Sequence, residues 1–600
     1  MESVQIRSSD AAGRDGPADK AIDLETATAT LRESASEIAT SLRDLLDPEG
    51  ARAALDPAGF ADALGEAARS LATRPLPAIR STAGLATGTA RAALAACVRA
   101  VGGEDDGPAT LSAKDRRYGD AAWESNAWYY LCRQEHAVVA GYLRELADGA
   151  TVTPQSRRKI EFLVQQAVAA TEPVNWPWSN PAMLKKAIDT GGLSLARGAR
   201  NAVRDVLTNR AMPRQVTPGA YRVGEDLAAT PGKVVFRNRL MELIQYEPQT
   251  ERVHEIPLLM SPPWINKYYI MDLAPGKSLV EWAVRHGHTV FMISYRNPAE
   301  DLSDVVMGDY LREGPLTALD VIEEITGAER VNIAALCLGG TLATAACAWL
   351  AARDEDRVHS LTLMNTLLDF TTPGQLGVFT DEQTVDRLER SMQRTGYLPA
   401  SSMKTTFDLL RATDLVWNYV VNDWLLGEDP APFDMLTWNS DSTRMPAAMQ
   451  TEYLRTLYLE NQLAEGKFEL AGERLDLDAV RQDAYVVTAE TDHIAPWQGV
   501  YRGAAKLGGM VRFVMSNSGH IAGVVNPPSP KSRHWVGEST HLPDDPQQWR
   551  STAEEHEASW WEDWTPWIEA HGGGLRTPPA TGSDRYPVLS DAPGGYVLHG

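Results

Sequence analysis

Three residues of this chain have the types and the order that nucleophilic acyl chemistry requires. In RVNIAALCLGGTLATAACAWL (330–350) a hydrophobic run ends at Leu336, Cys337 follows, and Gly339 and Gly340 open an Ala-rich stretch. A nucleophile on a sharp strand-to-helix turn is pushed out of its sheet, provided that small residues stand two positions to either side. Here those positions are Ala335 and Gly339. The partial positive charge of the helix N-terminus behind the turn favours a thiolate. Further on, AYVVTAETDHIAPW (484–497) carries Asp492 just after an apolar run, and VRFVMSNSGHIAGVVNPP (511–528) delivers His520 just after another. A histidine can accept the thiol proton, and a carboxylate can orient the imidazole and stabilise its charged form. A thiolate suits thioester exchange, because attacking and leaving groups are then both sulfur.

Such groups must be held by elements that the rest of the sequence supplies. KVVFRNRLMELIQYEP (233–248) alternates apolar with polar residues and predicts a strand pair. IPLLMS (256–261), HTVFMISY (288–295), RVNIAAL (330–336), HSLTLMN (359–365), AYVVTAE (484–490) and VRFVMS (511–516) are short runs rich in β-branched residues. Helical intervals such as LTALDVIEEITG (316–327) lie between several of them, which predicts a mostly parallel sheet covered on both faces. With the order Cys337, Asp492, His520, this is the α/β-hydrolase arrangement. An oxyanion would need two backbone N–H groups. These are expected from Leu338, just after the nucleophile, and from Trp264 or Ile265 in the loop 261–273.

The long, Trp- and Leu-bearing piece from about 370 to 480 interrupts the alternation, reads as helical, and has the size of a cap over the site. Ala-, Leu-, Arg- and Glu-rich sequence from about 31 to 210, broken by Pro and Gly, predicts an all-helical N-terminal region. Residues 1–30 are polar and predict a disordered tail. The catalytic part is expected over 211–600.

Composition narrows the function. Of 600 residues, Lys and Arg supply 57 and Asp and Glu 80, a net charge of −23. Such a chain repels phosphate backbones, so nucleic acid is excluded as a partner. No segment reads as a transmembrane span or a secretory signal, which predicts a cytoplasmic protein. The four cysteines are too few for a disulfide framework; Cys347, Cys97 and Cys132 read as core residues. His493 beside Asp492 reads equally as facing substrate or as a supporting or solvent-facing residue, and Trp417 inside the cap equally as lining a substrate channel or packing within the cap. Four tryptophans at 560, 561, 564 and 567 predict a helix packed on the core, with a contact to a polymer surface as the lesser reading. The histidines at 534, 541, 556 and 599 read as lying in polar loops. No metal site and no nucleotide-binding loop is expected, and no cofactor.

Longer motifs resemble polyhydroxyalkanoate synthases: PPWINKYYIMDLAPGKSLVEWAVRHGHTVFMISYRNP, CLGGTLA, LVWNYVV, PFDMLTWN, DHIAPW, SGHIAGVVNPP and WWEDWTPW, in the family's order from about 155 to 570. The family's box is Gly-x-Cys-x-Gly, so Ala335 is a departure. The resemblance implies Cys337 as acyl-carrying nucleophile, His520 as general base and Asp492 as its partner, with Asp492 also a candidate for activating the incoming 3-hydroxyl. It implies a reaction in which (R)-3-hydroxyacyl-CoA extends a polyester and CoA is released. The length is most similar to the class acting alone on short-chain monomers. A homodimer on the surface of polymer granules is implied as well. Rival readings are a thioesterase or polyester hydrolase on the same fold, and a catalytically silent granule-binding scaffold. Anionic CoA fits poorly with the global charge, so a local basic or apolar channel is expected, first of all near the cap.

Overall fold

Among the described residues, eleven strands, in the order β10-β9-β8-β7-β6-β5-β3-β4-β2-β1-β11, make the sheet that carries the chemistry. They are β1 (Gly232–Arg237), β2 (Met241–Tyr246), β3 (Leu258–Ser261), β4 (Val290–Tyr295), β5 (Val331–Leu336), β6 (Val358–Met364), β7 (Asp483–Ala489), β8 (Val511–Ser516), β9 (His534–Ser539), β10 (Glu554–His556) and β11 (Ser590–Asp591). The computed structural model describes residues 58–110 and 115–599. The tail expected at 1–30 and the first helical periodicity near 31–46 lie outside these residues. Strands β4, β3, β5, β6, β7 and β8 run parallel, and the hairpin β1–β2 and strands β9 and β10 add antiparallel edges. Parallel strands are covered on both faces and so read as nearly continuous apolar runs. In VNIAAL of β5 every residue is buried. Its one polar side chain, Asn332, is satisfied by Ser360 Oγ at 2.7 Å and by donating to the His571 carbonyl at 2.9 Å.

Register brings the functional loops to one edge. Ser261 pairs with Ala335, Leu336 with Met364, and Ala489 with Ser516. The loops after β3, β5, β6, β7 and β8 therefore leave the sheet side by side, at the carboxyl ends where open α/β sheets bind ligands.

Helices α1 (Phe60–Thr73), α2 (Leu76–Ala100), α3 (Ala127–Gly149), α4 (Pro154–Ala170) and α5 (Leu193–Thr208) precede the sheet. Local chemistry sets their starts: Asn126 caps α3, and Thr153 caps α4 with Pro154 at its first position. They are tied to the stretch between β6 and β7. Lys159 Nζ meets Asp381 at 2.8 Å, Gln166 donates to the Leu409 carbonyl at 2.9 Å, and Arg204 meets Asp423 at 3.0 Å.

That stretch is mainly helical, interrupted by π and 3-10 turns and by two short antiparallel strand pairs. DLVWNYVVNDWLLG forms π-helical turns over Thr413–Trp417 and Val420–Leu425. Ala412, Val416, Val420 and Trp424 recur every four residues and share one apolar cluster. Four-residue steps overshoot an α turn and undershoot the wider π turn, so the two in alternation keep the row on one side.

Two further helices matter here: α6 (Leu338–Ala352) behind Cys337, and α7 (Trp560–Ala570). On α7, Trp560, Trp561 and Trp564 are at most 1% exposed. Their ring N–H groups donate to the carbonyls of Gly523 and Val524 and to Thr362 Oγ1, at 2.9, 3.0 and 2.9 Å respectively. The four-tryptophan motif thus packs under the sheet and braces the loop that follows His520. Because Trp564 fills core volume and satisfies Thr362, Trp564→Ala is expected to cost about 3–5 kcal/mol, read as a lower urea midpoint with an unchanged slope.

Candidate active site

Cys337 has φ 51° and ψ −119°, a conformation that a side chain with a Cβ rarely adopts. Its surroundings hold it there. The Cys337 N–H donates to the Met364 carbonyl at 2.7 Å, and its own carbonyl accepts from Gly340 at 2.9 Å and Thr341 at 3.2 Å, starting α6. A Cβ at Gly339 would lie 2.3 Å from the Ser261 carbonyl oxygen, and one at Gly340 would lie 1.9 Å from Thr366 Oγ1. The elbow therefore demands glycine at 339 and 340. Ala335, buried within β5, is accommodated with its neighbours intact.

His520 reaches the same place from the end of β8. Ser518 takes φ 92°, and its carbonyl accepts from both Thr491 N and Thr491 Oγ1, at 2.9 and 2.7 Å. The loops after β7 and β8 are thereby joined. His520 Nδ1 lies 2.6 Å from Asp492 Oδ2. The other carboxylate oxygen of Asp492 accepts the N–H groups of Ile494 and Ala495 at 2.8 and 2.9 Å. Asp492 is fixed on both sides and aimed at the ring. Burial alone would push the His520 pKa down. The charge and hydrogen bond of Asp492, together with the Cys337 sulfur on the ring's other side, outweigh it and push the pKa up to about 10. The arrangement favours an imidazolium between carboxylate and sulfur.

Cys337, Leu338, Ile265 and His520 line one cleft, walled by apolar and aromatic side chains such as Phe370, Phe407 and Trp438. Among the described residues no Asp or Glu lines it, so the net charge of −23 is not expressed at these walls. Trp264 itself turns into the core, 3% exposed, with its ring 5.8 Å from Tyr310 and 6.0 Å from Tyr453. Its neighbours Pro263 and Ile265 face the cleft instead.

Two channel candidates stand elsewhere. Trp417 packs beside Ala412, Val416 and Val420 and does not line the cleft, because the π turns direct it into that cluster. The His493 ring also lies off the lining. Burial, aided by Arg411 and His520, pushes its pKa down to about 4, so it is neutral near pH 7. Cys347 is buried, and burial pushes its thiol up to about 12. Cys97, expected in the core, is exposed, because Ala92, Ala95 and Ala96 supply the buried face of α2. His534, expected in a polar loop, opens β9, is buried, and stacks on His556 at 5.0 Å.

Sequence reasoning passed over Asn365, Tyr453 and Tyr458, which also line the cleft. Asn365 follows β6, has φ 46°, and donates its side-chain amide to the His520 carbonyl. Its position at the end of the strand next to β5 was the available signal. The two tyrosines come from the insertion between β6 and β7, and no local motif marks them.

A cysteine on a strand–turn–helix elbow, facing an imidazole–carboxylate pair from later strand ends, defines a protein of the α/β-hydrolase fold; residues 283–527 match the family described as alpha/beta hydrolase fold. Residues 114–283 match the N-terminal family described as poly-beta-hydroxybutyrate polymerase (PhaC) N-terminus. A poly(3-hydroxyalkanoate) polymerase subunit PhaC of Rhizobium meliloti is 41% identical over 503 residues, 83% of this chain and 82% of that one. The Cupriavidus necator protein of the same name is 41% identical over 502 residues, covering 82% and 85%. Poly(3-hydroxyalkanoate) polymerase 1 of Ectopseudomonas oleovorans is 38% identical over 486 residues, covering 80% and 86%. The chain belongs to the poly(3-hydroxyalkanoate) polymerase family.

A histidine whose pKa is raised on folding adds stability that is full below its unfolded value of about 6.5. That stability is lost as pH rises through about 10. Asp492→Asn removes the main support for the charged ring. Its His520 resonance is expected to titrate well below 10 by NMR, and its unfolding free energy to fall less than the wild type's between neutral and alkaline pH.

Proposed function

We propose that the chain polymerises (R)-3-hydroxyacyl-CoA through a thioester on Cys337. The observation that carries this reading is the continuous line from the Asp492 carboxylate through the His520 ring to the Cys337 sulfur, with Cys337 and His520 lining an apolar cleft. The thiolate attacks the thioester carbonyl of the substrate, and the oxyanion is held by the backbone N–H of Leu338 and that of Ile265 or Trp264. The C–S bond to CoA breaks, and CoA leaves with the proton of His520. The now neutral ring accepts the proton of a hydroxyl at the end of a growing chain. That oxygen attacks the acyl group on Cys337, an ester bond forms, and the Cys337 thiolate and charged His520 are restored.

Each turn consumes one acyl-CoA and releases one CoA, with no redox step and no cofactor. The apolar walls suit acyl and polyester segments, and a hydroxyl acceptor in place of water separates polymerisation from hydrolysis. Work at a granule surface, with a second copy as partner, belongs to the same proposal. Side chains such as Trp178, Ile188 and Leu207, exposed by 65, 71 and 77%, support an apolar contact despite the acidic charge. Among the described residues, no helix is long and apolar enough to cross a membrane.

With 3-hydroxybutyryl-CoA, the purified chain is expected to release free thiol and deposit insoluble polyester. Cys337→Ala is expected to lose about 10³-fold or more in CoA release while keeping its far-UV spectrum. Free hydroxy acid without polymer would instead establish a thioesterase, and full activity in Cys337→Ala would remove the nucleophile assignment.

A further inference from the structure

Lys267 is an ammonium group in an unusual place. Its side chain is 2% exposed, at the end of the loop that leaves β3. The group donates to the carbonyls of Val597 and His599, at 2.8 and 3.1 Å, and lies 3.7 Å from Asp441. A buried ammonium is costly unless it is paired and hydrogen-bonded. Three of its contacts are therefore a constraint on what surrounds it, and two come from a segment 330 or more residues away in sequence.

The segment that supplies those carbonyls is fastened at its other end. Glu242, on β2 and fully buried, accepts the N–H groups of Gly595 and Tyr596 at 3.2 and 2.9 Å. Tyr596 OH donates to the Asn238 carbonyl at 2.6 Å, and Val597 is buried in the core. The strap Gly595–His599 is thus held to the sheet by an acid and grips the β3 loop through a base.

The loop so gripped is the one facing Cys337. Ser261 and Pro262 press their carbonyls on Gly339, and Ile265 and Asn266 line the cleft. Asn266 has φ 64°, its N–H donates to Thr443 Oγ1 at 2.8 Å, and Trp438 Nε1 donates to the Lys267 carbonyl at 2.7 Å. Lys267 is the point where the strap, the insertion and this loop meet.

We propose that Lys267 is a positioning residue. By binding the Val597 and His599 carbonyls it pins residues 262–267 in the register that sets the Ile265 backbone donor against the acyl carbonyl. The inference rests on Cys337 being the acyl carrier. An oxyanion donor displaced by even 1 Å costs about 10²-fold in rate, whereas alkylation of a thiolate needs no oxyanion site. Positioning and mere structural support therefore separate.

The test compares two rates in the full chain. One is the single-turnover release of CoA from 3-hydroxybutyryl-CoA. The other is iodoacetamide alkylation of the half-buried Cys337, followed on its own peptide because Cys97 is exposed and Cys132 is half-buried. Lys267→Met is expected to slow acylation about 10- to 100-fold with alkylation within about twofold of wild type. Glu242→Gln loosens the strap without touching the loop, and it carries the test should Lys267→Met fail to fold. It is expected to show the same split at smaller size. Unchanged acylation in the folded variants, or acylation and alkylation falling together, overturns the proposal. CoA release without an acyl group on Cys337 would appear already in the wild type and would remove the nucleophile instead.

Discussion

Holding Cys337 at positive φ sets the terms for the rest of the molecule. A side chain there can leave the plane of the sheet, but the backbone conformation is unfavourable and persists only where its surroundings over-determine it. Three neighbours do so: the Met364 carbonyl behind it, the first turn of α6, and the close approach of the β3 loop to Gly339. Each depends on parallel strands being in register, since a shift of one residue would turn the facing side chains to the other side of the sheet. The buried β5 run and its partners β3 and β6 are in that sense the foundation of the chemistry.

Around this elbow the molecule places supports rather than more reactive groups. Thr491 ties the Asp492 loop to the His520 loop, Asn365 holds the His520 backbone, and the tryptophans of α7 fasten the carbonyls just beyond it. Asp492 is immobilised by two backbone N–H groups, so its charge faces the ring in a single orientation. Electrostatics fixed before reaction need not be reorganised during it. The raised pKa of His520 follows from that preorganisation, despite a burial that acts in the other direction.

Cys337, Asp492 and His520 were legible in the sequence because each sits at a strand end with a local signature, and their order along the chain is itself a constraint. The strand runs were legible for the same reason: their apolar pattern is a property of neighbouring residues. Tyr453, Tyr458 and Lys267 were not, since their roles come from packing between segments far apart in sequence. Trp417 reads equally well as channel or core until the π turns assign it to the cluster with Val416 and Val420. Cys97 shows the same limit in reverse. In an Ala-rich helix, the apolar pattern does not say which face is buried, and the structure turns Cys97 outward.

The central claim is that one sulfur carries the acyl chain. Intact-protein and peptide mass spectrometry, after rapid mixing with 3-hydroxybutyryl-CoA and acid quench, tests it most directly. The account predicts 3-hydroxybutyryl units on the peptide bearing Cys337 and on no peptide bearing Cys97, Cys132 or Cys347. CoA released while the Cys337 peptide stays unmodified, or acyl groups found on another residue, would contradict it.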